Sequence, residues 1–153
     1  MTGPGEFTYR RVHRASRELL FDCLTQPEHL AYFWGPAGTS TPVDGITVDL
    51  RPGGAFETTM VNEDGSMYTM RAVYIEVRRP EKLVWIEPDL EGGMTTTITL
   101  TELGDGRTEV LTHLANAPAG LASPQAREGF LTSLDRFGAY VAELTGRPSD
   151  DRS

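Results

Sequence analysis

The chain has 153 residues, the size of one ordinary domain with its own core. Hydrophobic residues make up 39%, and no apolar run nears the roughly 20 residues that span a bilayer, so the composition reads as globular. A net charge of −8 argues against nucleic acid and against an anionic membrane surface, since both call for clustered cations.

The first six residues carry no basic-then-apolar leader pattern, so the expected location is cytoplasmic. Cys23 is the single cysteine and cannot form an internal disulfide, which fits a reducing compartment. Residues 7–12 alternate, with Phe7, Tyr9 and Arg11 on one side, and predict a first strand. Ser16 suits a helix N-cap, and Leu19, Leu20, Cys23 and Leu24 form an apolar stripe behind it. Pro27 opens a second short helix carrying Leu30, Tyr32 and Phe33, which ends by Gly35-Pro36.

Strand signals follow at 46–50, 55–61, 67–77, 83–86, 94–103 and 108–114. Pro52-Gly53-Gly54 breaks the first pair sharply. Asp64-Gly65, Gly92-Gly93 and Gly104-Asp105-Gly106 mark further turns. After a loop at 115–122, Ser123-Pro124 is a strong helix start. Phe130, Leu134, Phe137, Val141 and Leu144 then define one face of a long helix that Gly146 and Pro148 stop. Buried in full, those five side chains would contribute at most about 8–15 kcal/mol. The organisation expected is a single domain over 1–146 and a disordered tail over 147–153, without internal repeats.

Several of these segments resemble a known family. Phe33-Trp34-Gly35-Pro36, Asp49-Leu50-Arg51-Pro52-Gly53-Gly54-Ala55-Phe56, Asp64-Gly65 and Arg79-Pro80-Glu81-Lys82-Leu83-Val84-Trp85 occur in order. Gly104-Asp105-Gly106-Arg107-Thr108-Glu109-Val110 and Gly129-Phe130 complete the set. Together they are similar to the domain homologous to the C-terminal part of the heat-shock protein 90 ATPase activator, within the SRPBCC (START, Bet v 1-like) superfamily. The resemblance covers residues 7–144. It departs at Phe33 and Phe130, where the family often has tryptophan. It implies an α+β helix-grip fold: a curved antiparallel sheet around a long C-terminal helix, with two short helices after the first strand. It also implies a hydrophobic cavity between sheet and helix. The fold alone does not decide function, because the superfamily includes carriers, receptors and enzymes.

The residues themselves show no nucleophile elbow, no P-loop and no dinucleotide fingerprint. His13, His29 and His113 lack metal-ligand spacing, so neither a metal nor a cofactor is expected. His13 and His29 are expected on the surface. His113 is expected half-buried and bonded to a neighbour, facing away from Val110 and Thr112. Asp49 and Arg51 read as a surface ion pair, and Glu57 as a group on the solvated face. Glu76, like Glu57, lies within an otherwise apolar or threonine-rich strand.

Aromatic and methionine residues are more numerous than a small core needs. Trp34, Phe56, Met60, Tyr68, Met70, Tyr74, Trp85, Phe130 and Leu134 are the candidate cavity lining, with Trp34 at the mouth. For Trp34, Met60, Met70 and Phe130, core and cavity roles weigh equally, while Phe137 reads as plain core. Three functional readings result. The first is a binder of a small hydrophobic molecule. The second is an aromatase/cyclase- or lyase-type enzyme, which a tyrosine, a glutamate or His113 pointing into the cavity would support. The third is a protein-interaction module, as a chaperone partner or a homodimer.

Overall fold

The computed structural model describes residues 5–146 and 151–152. The chain begins with β1 (Phe7–His13) and two short helices, α1 (Arg17–Thr25) and α2 (Pro27–Phe33). Then come β2 (Ile46–Val48), β3 (Ala55–Val61), β4 (Met67–Arg78), β5 (Lys82–Glu87), β6 (Met94–Gly104) and β7 (Arg107–Ala115). The long helix α3 (Pro124–Thr145) follows. The expected tail falls largely outside the described residues, but Asp151–Arg152 form a two-residue strand, β8, paired with Arg11 and Val12. The sheet order is β2-β3-β4-β5-β6-β7-β1-β8, antiparallel throughout. This is the helix-grip fold that the resemblance implied.

Local chemistry sets the element ends as the sequence suggests. Ser16 Oγ accepts from the Leu19 N–H and Ser123 Oγ from the Ala126 N–H, each satisfying one orphan donor of a first helical turn. The Pro-Gly-Gly turn is bolted to β4: Gly53 N donates to Tyr74 O, and Tyr74 N donates to Gly54 O. A Cβ on Gly54 would lie 2.0 Å from Asp49 O, so only glycine lets the chain pass there. Beside it Arg51 Nε donates to both Asp49 carboxylate oxygens, the surface pair expected.

Alternation puts Phe56, Thr58, Ala72, Tyr74, Leu83, Trp85, Ile98, Leu100 and Val110 on the inner face of the sheet. With Leu20, Phe21, Cys23, Leu24, Leu30 and Phe33 from α1 and α2, they form the core. Burial and the nearby Asp22 carboxylate push the Cys23 thiol up to about 11, so it is inert packing.

Helix α3 contributes less to this core than its apolar stripe suggests. Only Phe137 and Val141 of the five stripe residues are buried. Phe130 and Leu134 are half-buried, and Leu144 is 45% exposed. The apolar contribution of the stripe falls accordingly, to about 3–6 kcal/mol for two fully buried side chains. For Phe130 and Leu134 the reason is that the N-terminal half of α3 spans a void.

His13 also departs from expectation. β1 runs one residue past Val12, so His13 continues the inward row of Tyr9 and Arg11 and is 2% exposed. Its ring meets Phe137 edge-on at 5.1 Å. Burial first, then the Arg11 guanidinium, lowers its pKa to about 4. His29 is half-buried rather than on the surface, its Nδ1 2.6 Å from Tyr140 Oη. His113 sits on the outer face as expected, with Nδ1 2.9 Å from Thr8 Oγ1.

Candidate functional site

The void beneath α3 is a cavity of about 520 Å³. Trp34, Met60, Tyr68, Met70, Trp85, Phe130 and Leu134, from the set read out of the sequence, line it. Phe56 and Tyr74 do not. They lie deeper, 0% and 1% exposed, with rings stacked at 5.4 Å under the closed end of the sheet. Phe137, read as plain core, also lines the cavity.

Trp34, expected at the mouth, stands in the cavity wall. Its Nε1 donates to the fully buried Thr58 Oγ1 at 3.0 Å, and its ring packs on Phe56 at 5.3 Å and Trp85 at 6.2 Å. The loop after it is held close by Gly35, whose φ is +98° and whose Cβ would meet Thr39 Oγ1 at 2.6 Å and Met60 Sδ at 2.9 Å. Arg136 of α3 donates to the carbonyls of Gly35 and Pro36 at 2.8 and 3.0 Å, and Thr132 Oγ1 accepts from the Ala37 N–H. The lining residues that reach solvent are Asn62 and Tyr68 on the β3–β4 hairpin and Leu121 and Gln125 at the start of α3. The mouth therefore lies between that hairpin and the N-terminal end of α3.

The cavity has one feature that the sequence reading missed. Glu87, the last residue of β5, follows Trp85 by two positions and so shares its inward facing. It is 7% exposed, and among the described residues no hydrogen bond or ion pair reaches its carboxylate. Burial pushes its pKa up to about 7. Its charge and, more strongly, desolvation raise the pKa of the Tyr68 phenol. The strand signal in the sequence covers 83–86, one residue short of Glu87.

Glu57 and Glu76, the acids weighed from sequence, lie away from the cavity. Glu57 pairs across to Arg71 on β4, on the face opposite Phe56 and Thr58, and Glu76 bonds with Arg78 and Lys82. Among the described residues no three His, Cys, Asp or Glu side chains converge as a metal site would require. None of the described helices is long and apolar enough to cross a membrane.

The family profile described as Activator of Hsp90 ATPase homolog 1-like protein matches residues 14–142. Comparison with curated proteins returns no match. Among solved structures, a Nitrosomonas europaea protein superposes with a TM-score of 0.80 at 21% identity, over 95% of this chain and 99% of its own. A Chromobacterium violaceum protein gives 0.81 at 24% identity, over 90% and 98%. The AHSA1 protein from Silicibacter pomeroyi gives 0.73 at 21% identity, over 92% and 97%. At such identities the likeness is one of fold. The profile, spanning 14–142, decides the family: the chain belongs to the Activator of Hsp90 ATPase homolog 1-like proteins of the SRPBCC superfamily.

Proposed function

We propose that this domain binds a small, largely hydrophobic molecule in the cavity between the sheet and the N-terminal half of α3. The observation that supports it is a space of about 520 Å³ walled by Trp34, Met60, Met70, Trp85, Phe130 and Leu134. That volume falls in the ordinary range for small-molecule sites, roughly 300–1,000 Å³. Two methionines give an adaptable wall, and three aromatic rings give area at little entropic cost.

Titration with an environment-sensitive hydrophobic dye tests the reading. Leu134→Trp, which fills the cavity from α3, is expected to weaken dye binding at least about tenfold, or 1.4 kcal/mol. Glu57→Gln, on the outer face, is expected to leave it unchanged. Undiminished dye binding by a folded Leu134→Trp protein would place the dye elsewhere and sink the proposal.

Glu87 favours a second reading, an enzyme. A carboxyl whose pKa lies near neutrality, inside an apolar cavity, can give or take a proton at a bound molecule. Loss of turnover in Glu87→Gln with binding retained would favour this reading over simple binding.

A further inference from the structure

The cavity contains half of an ion pair. Among its lining residues only Glu87 and Tyr68 titrate, and none is Lys, Arg or His. Elsewhere the fold gives several of its carboxylates cations: Asp135 takes Arg11, Glu76 takes Arg78 and Lys82, and Asp22 takes Arg79. Glu87 is more deeply buried than Asp135, Glu76 or Asp22, yet its carboxylate stands without a partner among the described residues. A buried carboxylate is stabilised most by an opposite charge that brings N–H donors with it.

Building on the cavity reading above, we propose that the preferred ligand is a cationic apolar molecule, an aromatic or aliphatic body bearing one protonated amine that bonds to the Glu87 carboxylate. The walls suit such a body, because Trp34, Trp85 and Phe130 offer aromatic faces that attract a cation as well as apolar surface. An anionic amphiphile would place a like charge beside Glu87 and would approach a protein of net charge −8. A neutral alcohol of the same shape would gain the apolar contacts and one hydrogen bond, but no charge pairing.

The pairing makes binding depend on pH. Burial alone holds the empty site partly protonated at neutrality, and an arriving amine displaces that proton. Few other groups can produce this dependence. From β4 only the Tyr68 phenol faces Glu87, and it titrates far higher. From β6 the facing residues are Met94 and Thr96, and α3 presents Gln125, Ser133, Phe130 and Leu134. None of these six titrates.

Calorimetry with three probes that share one bicyclic body tests the proposal: naphthylethylamine, naphthylethanol and naphthylacetic acid. At pH 8 the amine is expected to bind at least about tenfold more tightly than the alcohol, with the acid weakest. At pH 5 the amine is expected to lose about tenfold or more, while the alcohol holds. Glu87→Gln is expected to bring the amine down to the alcohol's affinity. Equal or tighter binding of the alcohol or the acid at pH 8 would overturn the ligand class and leave the cavity reading standing. So would an amine preference that survives in Glu87→Gln. Binding of none of the three to the unaltered protein would overturn both. The wild-type comparison decides the matter even if the variant fails to fold.

Discussion

Glu87→Gln in the empty protein gives a stability test with a defined sign. Burial moves the carboxyl from 4.5 to about 7, and each pKa unit corresponds to about 1.4 kcal/mol. Keeping the charged form buried at alkaline pH therefore costs about 3 kcal/mol. The folded form binds this proton more readily than the unfolded chain. Its favourable contribution is thus complete below pH 4.5 and lost as pH rises through 7. Glutamine cannot ionise, so at pH 8 the variant escapes a penalty that the wild type bears. Its amide still needs partners in an apolar cavity, but so does the protonated acid at pH 5, and that cost cancels between the two pH values. His13 runs the other way. Its pKa is lowered to about 4 by burial and by Arg11, so its contribution is present above 6.5 and lost as pH falls toward 4. In the wild type the two slopes oppose each other across pH 4–7, and removing Glu87 leaves the His13 slope exposed. Urea unfolding at pH 8 is expected to show Glu87→Gln more stable than wild type by about 1–3 kcal/mol, a rise of several degrees in Tm at roughly 2–4 °C per kcal/mol. At pH 5 that advantage should shrink to below about 1 kcal/mol. An equal difference at both pH values would refute the claim that a buried, titrating carboxylate causes it.

Two further expectations separate turn from cavity and cavity from core. Gly54→Ala should destabilise by upward of about 3 kcal/mol, because its Cβ would meet backbone rather than a yielding side chain; Gly53→Ala, at φ +85° with nothing within 4 Å, should lose only about 1–2. Equilibrium unfolding of the pair checks this, and equal losses would mean that the turn relaxes freely. On α3, Phe137→Ala should lose about 3–5 kcal/mol and Leu134→Ala about 1, since the first empties a filled site and the second only widens an existing void. A larger loss at Leu134 in the same measurement would show that the space beneath it is closed.

The architecture was legible because its local signals agree. Serine caps, prolines at first helical positions, turn glycines and period-two strands all indicate one sheet and one long helix. Facing was legible too: Phe56, Thr58 and Met60 share the inner side, and Glu57 takes the outer one. Depth along the inner face was not. Phe56 and Tyr74 carry the same alternation signal as Met60 and Met70, yet they are packed in the core, 0% and 1% exposed, and do not line the cavity. Alternation assigns a side of the sheet; only the placement of the covering helices says whether that side is packed or hollow. Glu87 was overlooked for a related reason. The strand signal ends at Ile86, but antiparallel pairing with Met94 carries β5 one residue further. His13 was misplaced by the same one-residue shortening of β1.

Keeping a cavity of about 520 Å³ open requires that its roof not depend on filling it. The chain meets this by dividing α3. Its C-terminal half is held by apolar burial through Phe137 and Val141, reinforced by Tyr140 stacked on Tyr32 at 5.2 Å and hydrogen-bonded to His29. Its middle turns, at 132–136, are held at the rim instead. Arg136 clasps the carbonyls of Gly35 and Pro36, Thr132 accepts from Ala37, and Asp135 reaches across to Arg11 on β1 at 2.7 Å. These contacts are directional, so they fix the height of the helix above the sheet, whereas apolar contacts alone would draw it down until the void closed. The arrangement explains why Phe130 and Leu134 of the apolar stripe stay half-buried. Substitutions beneath Phe130 and Leu134 are therefore expected to alter what the cavity accepts without unfolding the domain.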